Sequence, residues 1–179
     1  MRLPEVWGAT AAEVAEPTPA DALVELPGAR WVRAVSSPAP PAALWRWVCQ
    51  LTVAPYSYDL VDNLGRRSPR TLTPGAERVV PGQRLLMIFV VDAVVPGEHL
   101  TIRRRRPGGR LVGEFAVTYA VHPAPGGSRL VATVVVGGGD GRAARAIRTA
   151  LAWGDLVMMR KQLITLARRS RACPIGVLP

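Results

Sequence analysis

The sequence contains few of the residues from which metal sites and disulfide frameworks are built. Two cysteines, Cys49 and Cys173, and two histidines, His99 and His122, occur in 179 residues. Two widely separated cysteines do not indicate a disulfide framework. No Cys-x-x-Cys or His-x-x-x-His spacing is present, so no metal-binding motif is recognised. We therefore expect neither a metal ion nor another cofactor.

Long uncharged apolar segments are also absent. The longest apolar run, residues 85–95, contains Asp92 and is shorter than the ~20 residues that a membrane-spanning helix needs. The N-terminus lacks a basic stretch followed by an apolar one, which a secretory signal would require. We therefore expect no membrane insertion and a cytoplasmic location. A chain of this length with 49% hydrophobic residues is typical of one domain with a substantial core.

Lysine is nearly missing from a strongly basic chain. The net charge is +10, yet 22 of the 23 basic residues are arginine and only Lys161 is lysine. Abundant Ala, Gly and Pro accompany them, which is typical of GC-rich coding. The run 103–106 consists of four arginines at a predicted hairpin end, without interleaved aromatic residues or a nucleic-acid motif. We therefore expect no nucleic-acid partner, although an arginine surface for a macromolecule remains a third interpretation.

Segments of predicted structure follow a simple order. Residues 1–28 form an acidic, Pro/Ala-rich extension with one arginine against five acids, and we expect it to be a partly disordered arm, either solvated or lying against the basic body. Short helices are expected over residues 42–52 and 56–64. Strands are expected over residues 30–36, 84–95, 99–106, 111–122 and 129–136. Turns rich in Pro and Gly separate the last four strands, which predicts an antiparallel meander.

The last predicted element, a helix over residues 142–169, is the most informative. At 100° per residue its apolar side chains span about half of the circumference, and Asp155 and Gln162 fall inside that arc. Trp153, Val157 and Ile164 form a further apolar strip. A helix of this kind is expected to be covered on more than one side, and its two polar residues suggest a lined cavity.

This order of elements resembles the START-like, or SRPBCC, superfamily. Two segments carry the resemblance: residues 56–69, and residues 153–163 with the sequence Trp-Gly-Asp-Leu-Val-Met-Met-Arg-Lys-Gln-Leu. Both are similar to a bacterial subgroup whose members are mostly uncharacterised. The resemblance implies an α+β helix-grip fold over residues 29–170, in which a curved antiparallel sheet wraps around the C-terminal helix and two short helices close the gap. Residues 171–179 are then a C-terminal tail.

The superfamily includes lipid carriers, plant hormone and allergen proteins, polyketide cyclases and aromatases, and oxygenase domains. The resemblance implies a cavity for apolar or aromatic small molecules between sheet and helix. Its members share no single catalytic motif, so no catalytic residue is assigned. We expect binding, with transport as an extension, of a hydrophobic or aromatic molecule. The alternative is an enzyme of the polyketide cyclase or aromatase kind, in which Asp155, Tyr119 or Tyr56 moves a proton.

Asp155 is the leading polar candidate because an unpaired buried carboxylate costs several kcal/mol. It is expected either to face a wet cavity or to form an ion pair, with Arg148, Arg66 or Arg67 as partner. Residues 56–68 form either a lid at the cavity mouth or a capped turn. Alternation along the strands places further candidates on the concave face. The expected ligand-binding residues are Tyr56, Asp59, Met87, Phe89, Phe115, Val117, Tyr119, Leu151, Asp155, Met158 and Gln162.

Overall fold

A computed structural model describes residues 3–58, 65–85, 88–105, 113–139 and 141–172. The strands are β1 Val6–Trp7, β2 Pro27–Ser37, β3 Arg84–Leu85, β4 Phe89–Val95, β5 His99–Arg104, β6 Phe115–Ala124 and β7 Gly127–Gly137. The α-helices are α1 Ala11–Ala15, α2 Pro19–Ala22, α3 Pro41–Cys49 and α4 Arg142–Arg171. A 3-10 helix, Gln50–Thr52, continues α3.

The strands form one curved sheet in the order β1-β2-β7-β6-β5-β4-β3. Strands β4 to β7 pair antiparallel with their neighbours in the chain, which confirms the predicted meander. Strand β2 closes the other side by pairing antiparallel with β7. The short β1 pairs parallel with β2, so the sheet is mixed rather than purely antiparallel.

Strand β7 shows why the chain forms a layered fold. Successive side chains of a strand point to opposite faces, and in β7 both faces are buried. Leu130, Val134 and Val136 belong to the main core beneath α4. Val131 and Val135 belong to two smaller clusters on the other face. An almost uninterrupted apolar strand is therefore explained by burial on both sides.

Helices α3 and α4 pack on the concave face of the sheet. Ala152, Met159, Leu163 and Leu166 bring α4 into the main core. The opposite side of α4 is open to solvent among the described residues, with Trp153 49% and Val157 52% exposed. The expectation that this strip is covered is therefore wrong for Trp153 and Val157, whereas Ile164 is half-buried.

The N-terminal segment is folded rather than disordered over residues 3–28. Ala20 and Val24 are buried against the convex face of the sheet, and α1 begins with a capping box between Thr10 and Glu13. Gly8 lies so close to the Ala34 carbonyl, with a φ of +69°, that a β-carbon would clash. The expected arm is thus a cover for the second face, because its apolar residues have a surface to bury against. The division of the chain at residue 28 stays a prediction.

Two other elements of the structure differ from those expected from the sequence. Residues 84–95 form two strands, since Leu85 lies opposite Phe89 in an antiparallel pair. The helix expected over residues 56–64 does not begin at Tyr56, which has a positive φ of 55°; residues 59–64 lie outside the described residues. Periodicity alone did not reveal the reversal between β3 and β4, because both strands are part of one continuous apolar run.

Candidate functional site

A cavity of about 340 Å³ lies between the concave face of the sheet and α4. Its lining comes from β4, β5, β6, α4 and two connecting segments. The lining residues are Pro55, Ser57, Ile88, Phe89, Ile102, Phe115, Val117, Tyr119, Asp155, Met158, Met159 and Gln162. Ile88 is 54% exposed, so the cavity reaches solvent at this position.

Two sequence periods meet at the cavity. Phe115, Val117 and Tyr119 are spaced by two along β6 and therefore share the concave face. On α4, Asp155, Met159 and Gln162 are spaced by three and four, and so lie on one side of the helix. The cavity forms where these two rows of side chains face each other without filling the space between them.

Aromatic surface lies at one end of the cavity. The rings of Phe89 and Phe115 have centroids 5.8 Å apart and an interplanar angle of 47°. Both side chains are only partly buried and pack against the main core. Offset and tilted ring pairs of this kind can accept a further flat ring on an open face.

A neutral hydrogen-bond network crosses the cavity wall. The Tyr119 hydroxyl donates to Gln162 Oε1 at 2.9 Å, and Gln162 Nε2 donates to the Pro55 carbonyl at 2.7 Å. Tyr119 also contacts Met159 Sδ at 3.6 Å. Burial raises the pKa of Tyr119 well above its ordinary value, so its hydroxyl stays protonated near neutral pH. Gln162 therefore ties β6 to the segment at the cavity mouth.

One member of a buried ion pair, Asp155, lines the cavity. Asp155 Oδ2 lies 3.2 Å from a terminal nitrogen of Arg33, and the two side chains are 15% and 0% exposed respectively. Arg33 projects from the middle of β2 and donates to the carbonyls of Glu5 and Ala152 at 2.5 and 3.5 Å. Asp155 is thus paired across the fold with β2, and not with Arg148 or the loop arginines.

The ion pair with Arg33 does not offset the effect of burial on the pKa of Asp155. Removal from water raises the pKa of Asp155 to about 6, and the attraction of Arg33 only partly opposes that rise. Burial likewise lowers the pKa of Arg33, against the favourable effect of Asp155. The 3.2 Å contact does not count as a hydrogen bond, so Asp155 Oδ2 has no hydrogen-bond partner among the described residues. Arg33 Nε also has none there. The cavity therefore holds a carboxylate whose pKa is raised by burial to about 6.

The structure brings most of the predicted residues together. Phe89, Phe115, Val117, Tyr119, Asp155, Met158 and Gln162 all line the cavity. Leu151 is 39% exposed and does not line it. Tyr56 is buried edge-on against Trp47, at 5.8 Å between ring centroids, and lines a neighbouring basic pocket instead. Asp59 and Met87 lie outside the described residues.

Sequence reasoning missed several residues. Arg33 is the most important, and its signal was present: an arginine in the middle of an apolar strand needs a buried partner. Ile102 and Met159 have the same periodic signal as the residues that were predicted. Pro55, Ser57 and Ile88 lie in irregular segments, where no period indicates which way a side chain points.

Two further properties concern the described part of the chain. No cluster of three or more His, Cys, Asp or Glu side chains is arranged there as a metal site. None of the helices found there combines the length and apolarity needed to span a membrane.

Comparisons with known proteins identify the architecture. No protein-family model matches the sequence, and no curated protein matches it closely enough to count as a relative. A protein from Thermobifida fusca, solved by NMR, has a TM-score of 0.54 at 17% identity, over 79% of this chain and 93% of its own. The di-domain ARO/CYC StfQ from the steffimycin biosynthetic pathway also has a TM-score of 0.54, at 11% identity, over 80% of this chain and 50% of its own.

A second di-domain ARO/CYC, BexL from the BE-7585A biosynthetic pathway, has a TM-score of 0.50 at 16% identity, over 81% of this chain and 50% of its own. Identities this low carry information about the fold alone. Together with the curved sheet, the long closing helix and the short helices, these similarities show that the chain has a helix-grip fold.

Proposed function

We propose that the protein binds an apolar or aromatic small molecule in the cavity between the sheet and α4. One observation carries the proposal: a largely apolar cavity of about 340 Å³ remains open inside an otherwise well-packed core. This volume falls within the range that small-molecule sites occupy. Protein interiors rarely leave such a space unfilled.

The lining suits a ligand that is apolar over most of its surface. A ligand that buries roughly 300 Å² of apolar surface gains about 8 kcal/mol from that burial. Part of this gain is offset by the lost freedom of the ligand. The aromatic pair of Phe89 and Phe115 favours a flat ring, and Asp155 offers an acceptor for one hydroxyl or amine group. Gln162 already bonds Tyr119 and Pro55, so its main role is to shape the wall.

Binding with later release, as in a carrier, agrees with the chemistry of the lining. No cysteine lines the cavity among the described residues, and Cys49 is buried elsewhere, with burial raising its pKa to about 12. A thiol of that pKa is a poor nucleophile at neutral pH. A molecule held by apolar contact alone can leave unchanged through the opening beside Ile88.

The second candidate is an enzyme of the cyclase or aromatase kind. Its specific support is Asp155, a cavity carboxylate whose pKa is raised by burial to about 6. A group of that pKa can both accept and return a proton near neutral pH. In this scheme Asp155 removes a proton from the bound substrate, and the protonated Tyr119 does not act as a base.

A fluorescence titration tests the binding proposal. The probe is N-phenyl-1-naphthylamine, a neutral aromatic fluorophore that brightens in apolar surroundings. Met158→Trp places a larger side chain in the cavity, and Val157→Trp makes the same type of change at the neighbouring exposed position. We expect saturable binding to the parent and to Val157→Trp, and binding to Met158→Trp that is at least ~10-fold weaker. Absence of saturable binding to the parent, or equal binding by all three proteins, would overturn the proposal.

Native mass spectrometry separates the two candidates. The protein is isolated from its own host, and the bound molecule is released and identified. A carrier returns that molecule, or a supplied precursor of it, chemically unchanged. An enzyme converts the precursor, and Asp155→Asn then stops conversion while the precursor still binds.

A further inference from the structure

A second pocket, of about 280 Å³, adjoins the apolar cavity and has the opposite character. It lies between α4 and the segments around residues 56 and 68. Its lining residues are Tyr56, Ser57, Arg67, Ser68, Pro69, Arg70, Lys161, Thr165 and Arg169. We call it the basic pocket.

Four cations border the basic pocket, from Arg67, Arg70, Lys161 and Arg169. No carboxylate is among its described lining residues, and no ion pair within the described part of the chain joins any of the four to an acid. Arg67, Arg70 and Lys161 are exposed, so solvent and salt screen their mutual repulsion, but a bound anion is still favoured beside several positive charges. Arg169 also donates to the Arg70 carbonyl at 3.2 Å, which anchors one guanidinium at the pocket wall.

The two spaces share a wall. Ser57 lines both the apolar cavity and the basic pocket. On α4, Met158 and Gln162 line the cavity, and Lys161 and Thr165 line the basic pocket. Met158 and Thr165 are separated by ~10 Å along the helix axis at 1.5 Å per residue. A molecule that contacts both spaces therefore has to pass Ser57 and span a distance of about this length.

We infer that the ligand is an amphiphile whose apolar body occupies the cavity and whose carboxylate or phosphate group occupies the basic pocket. This inference rests on the proposed function and narrows its ligand class. Guanidinium and ammonium groups bind carboxylate and phosphate through charge-assisted hydrogen bonds. The largely apolar cavity takes the rest of the molecule, because most of its lining is aliphatic and aromatic surface.

The test compares three ligands with one alkyl chain: decanol, decanoate and decyl phosphate. Each is titrated calorimetrically below its critical micelle concentration at a salt concentration of roughly 0.05 M, and again at roughly 0.5 M, where screening weakens exposed charge pairs. We expect the two anions to bind about 10-fold more tightly than decanol at low salt. We expect most of this preference to disappear at high salt.

Matched variants test which cations cause the preference for anionic ligands. Arg67→Gln/Lys161→Gln removes two cations from the basic pocket, and Arg168→Gln/Arg171→Gln removes two from outside it on α4. The first variant is expected to lose the preference for anions and still bind decanol with parental affinity. The second is expected to match the parent. Thermal unfolding of all proteins checks that the fold is retained.

The outcomes separate the two proposals. If none of the three ligands binds the parent, the proposed function fails. If decanol binds as tightly as the anions, or the two double variants behave alike, the amphiphile inference is overturned while the proposed function stands. A further arm titrates inorganic phosphate alone. Phosphate that binds as tightly as decyl phosphate, and depends on Lys161, would make the pocket a free-phosphate site and overturn the inference.

Discussion

Two ion pairs on opposite faces of the sheet show how differently one kind of contact can be used. On the convex face, Glu13 of α1 meets Arg129 of β7, with Oε1 to Nε at 2.6 Å and Oε2 to a terminal nitrogen at 3.0 Å. On the concave face, Asp155 meets Arg33 through one distance of 3.2 Å. The convex pair is bidentate, and the concave pair is not.

The pKa values of the two acids move in opposite directions. The hydrogen bonds from Arg129 lower the pKa of Glu13 to about 2, and the Thr10 backbone amide contributes through a 2.7 Å bond. Burial raises the pKa of Asp155 to about 6 despite Arg33. The fold therefore favours the charged form of Glu13 and disfavours the charged form of Asp155.

The difference separates a structural contact from a candidate functional one. Glu13 fastens the N-terminal segment to the sheet at a site where both charges are well bonded. Asp155 is held beside an open cavity in an arrangement that costs stability, and residues of that kind concentrate at functional sites. The comparison supports the proposed site at the concave face.

The largest expected effect comes from Arg33→Met, which leaves Asp155 buried without its cation. We expect a loss of roughly 3 kcal/mol in the free energy of unfolding near pH 7. Near pH 5 the loss should be smaller, because Asp155 can take up a proton. Urea unfolding at the two pH values measures this, and Arg33→Met/Asp155→Asn should recover part of the loss. Equal losses at both pH values would show that Asp155 is not the cause.

Removal of the neutral Gln162 hydrogen bonds on the same face should cause a smaller loss in the free energy of unfolding. Gln162→Leu removes the acceptor of the Tyr119 hydroxyl and the donor to the Pro55 carbonyl. Each buried group left without a partner costs about 1 kcal/mol or more, so we expect a loss of about 2 kcal/mol. Urea unfolding measures the loss, with Gln162→Glu as a comparison that retains an acceptor. Parental stability for Gln162→Leu would mean that this network contributes nothing.

The contributions of Asp155 and Glu13 to stability should change with pH in opposite directions. The folded-state pKa of Asp155, about 6, lies above its ordinary value of 3.8, so its contribution is complete below pH 3.8 and is lost as the pH rises through 6. Asp155→Asn removes this titration and should therefore flatten the stability profile between pH 3.8 and 6, as measured by urea unfolding across that range. The variant also leaves the buried Arg33 without its carboxylate at every pH, so the test is the trend: its stability relative to the parent should improve as the pH rises from 3.8 to 6. A stability difference between variant and parent that does not change across this range would contradict this reasoning.

Glu13→Gln should produce the smallest change in stability, and the pH dependence of that change should be opposite to that of Asp155→Asn. The pKa of Glu13 is lowered from 4.5 to about 2, so its contribution is present above pH 4.5 and is lost as the pH falls toward 2. We expect a loss of up to about 1 kcal/mol near pH 7. Hydrogen exchange should become faster in α1 and stay unchanged in β6. Unchanged exchange in α1 would mean that the pair does not hold the N-terminal segment.

Local periodicity was enough to predict much of the cavity lining. Alternation along β6 placed Phe115, Val117 and Tyr119 on one face, and helical spacing placed Asp155 and Gln162 on one side of α4. Both patterns depend on neighbours in the chain, which a single sequence displays directly. The resemblance to the helix-grip fold then indicated that these two faces meet.

The remaining features depend on contacts between distant parts of the chain. Nothing local shows that Asp155 pairs with Arg33 rather than with Arg148, because the partner depends on how β2 lies beneath α4. Glu13 likewise meets Arg129 only after α1 folds onto the convex face. The role of the N-terminal segment was likewise not evident locally, since Ala20 and Val24 are buried only where they meet Ala116 and Val135 of the sheet.

NMR spectroscopy offers the most direct test of the claim that the concave cavity is the binding site. Isotope-labelled protein is titrated with 1-naphthol, and the shifts of backbone amides and methyl groups are mapped onto the fold. We predict saturable shifts centred on Val117 of β6 and on Met158 and Met159 of α4. Saturable shifts centred instead on the exposed strip of Trp153 and Val157, or no saturable shifts at all, would contradict the account.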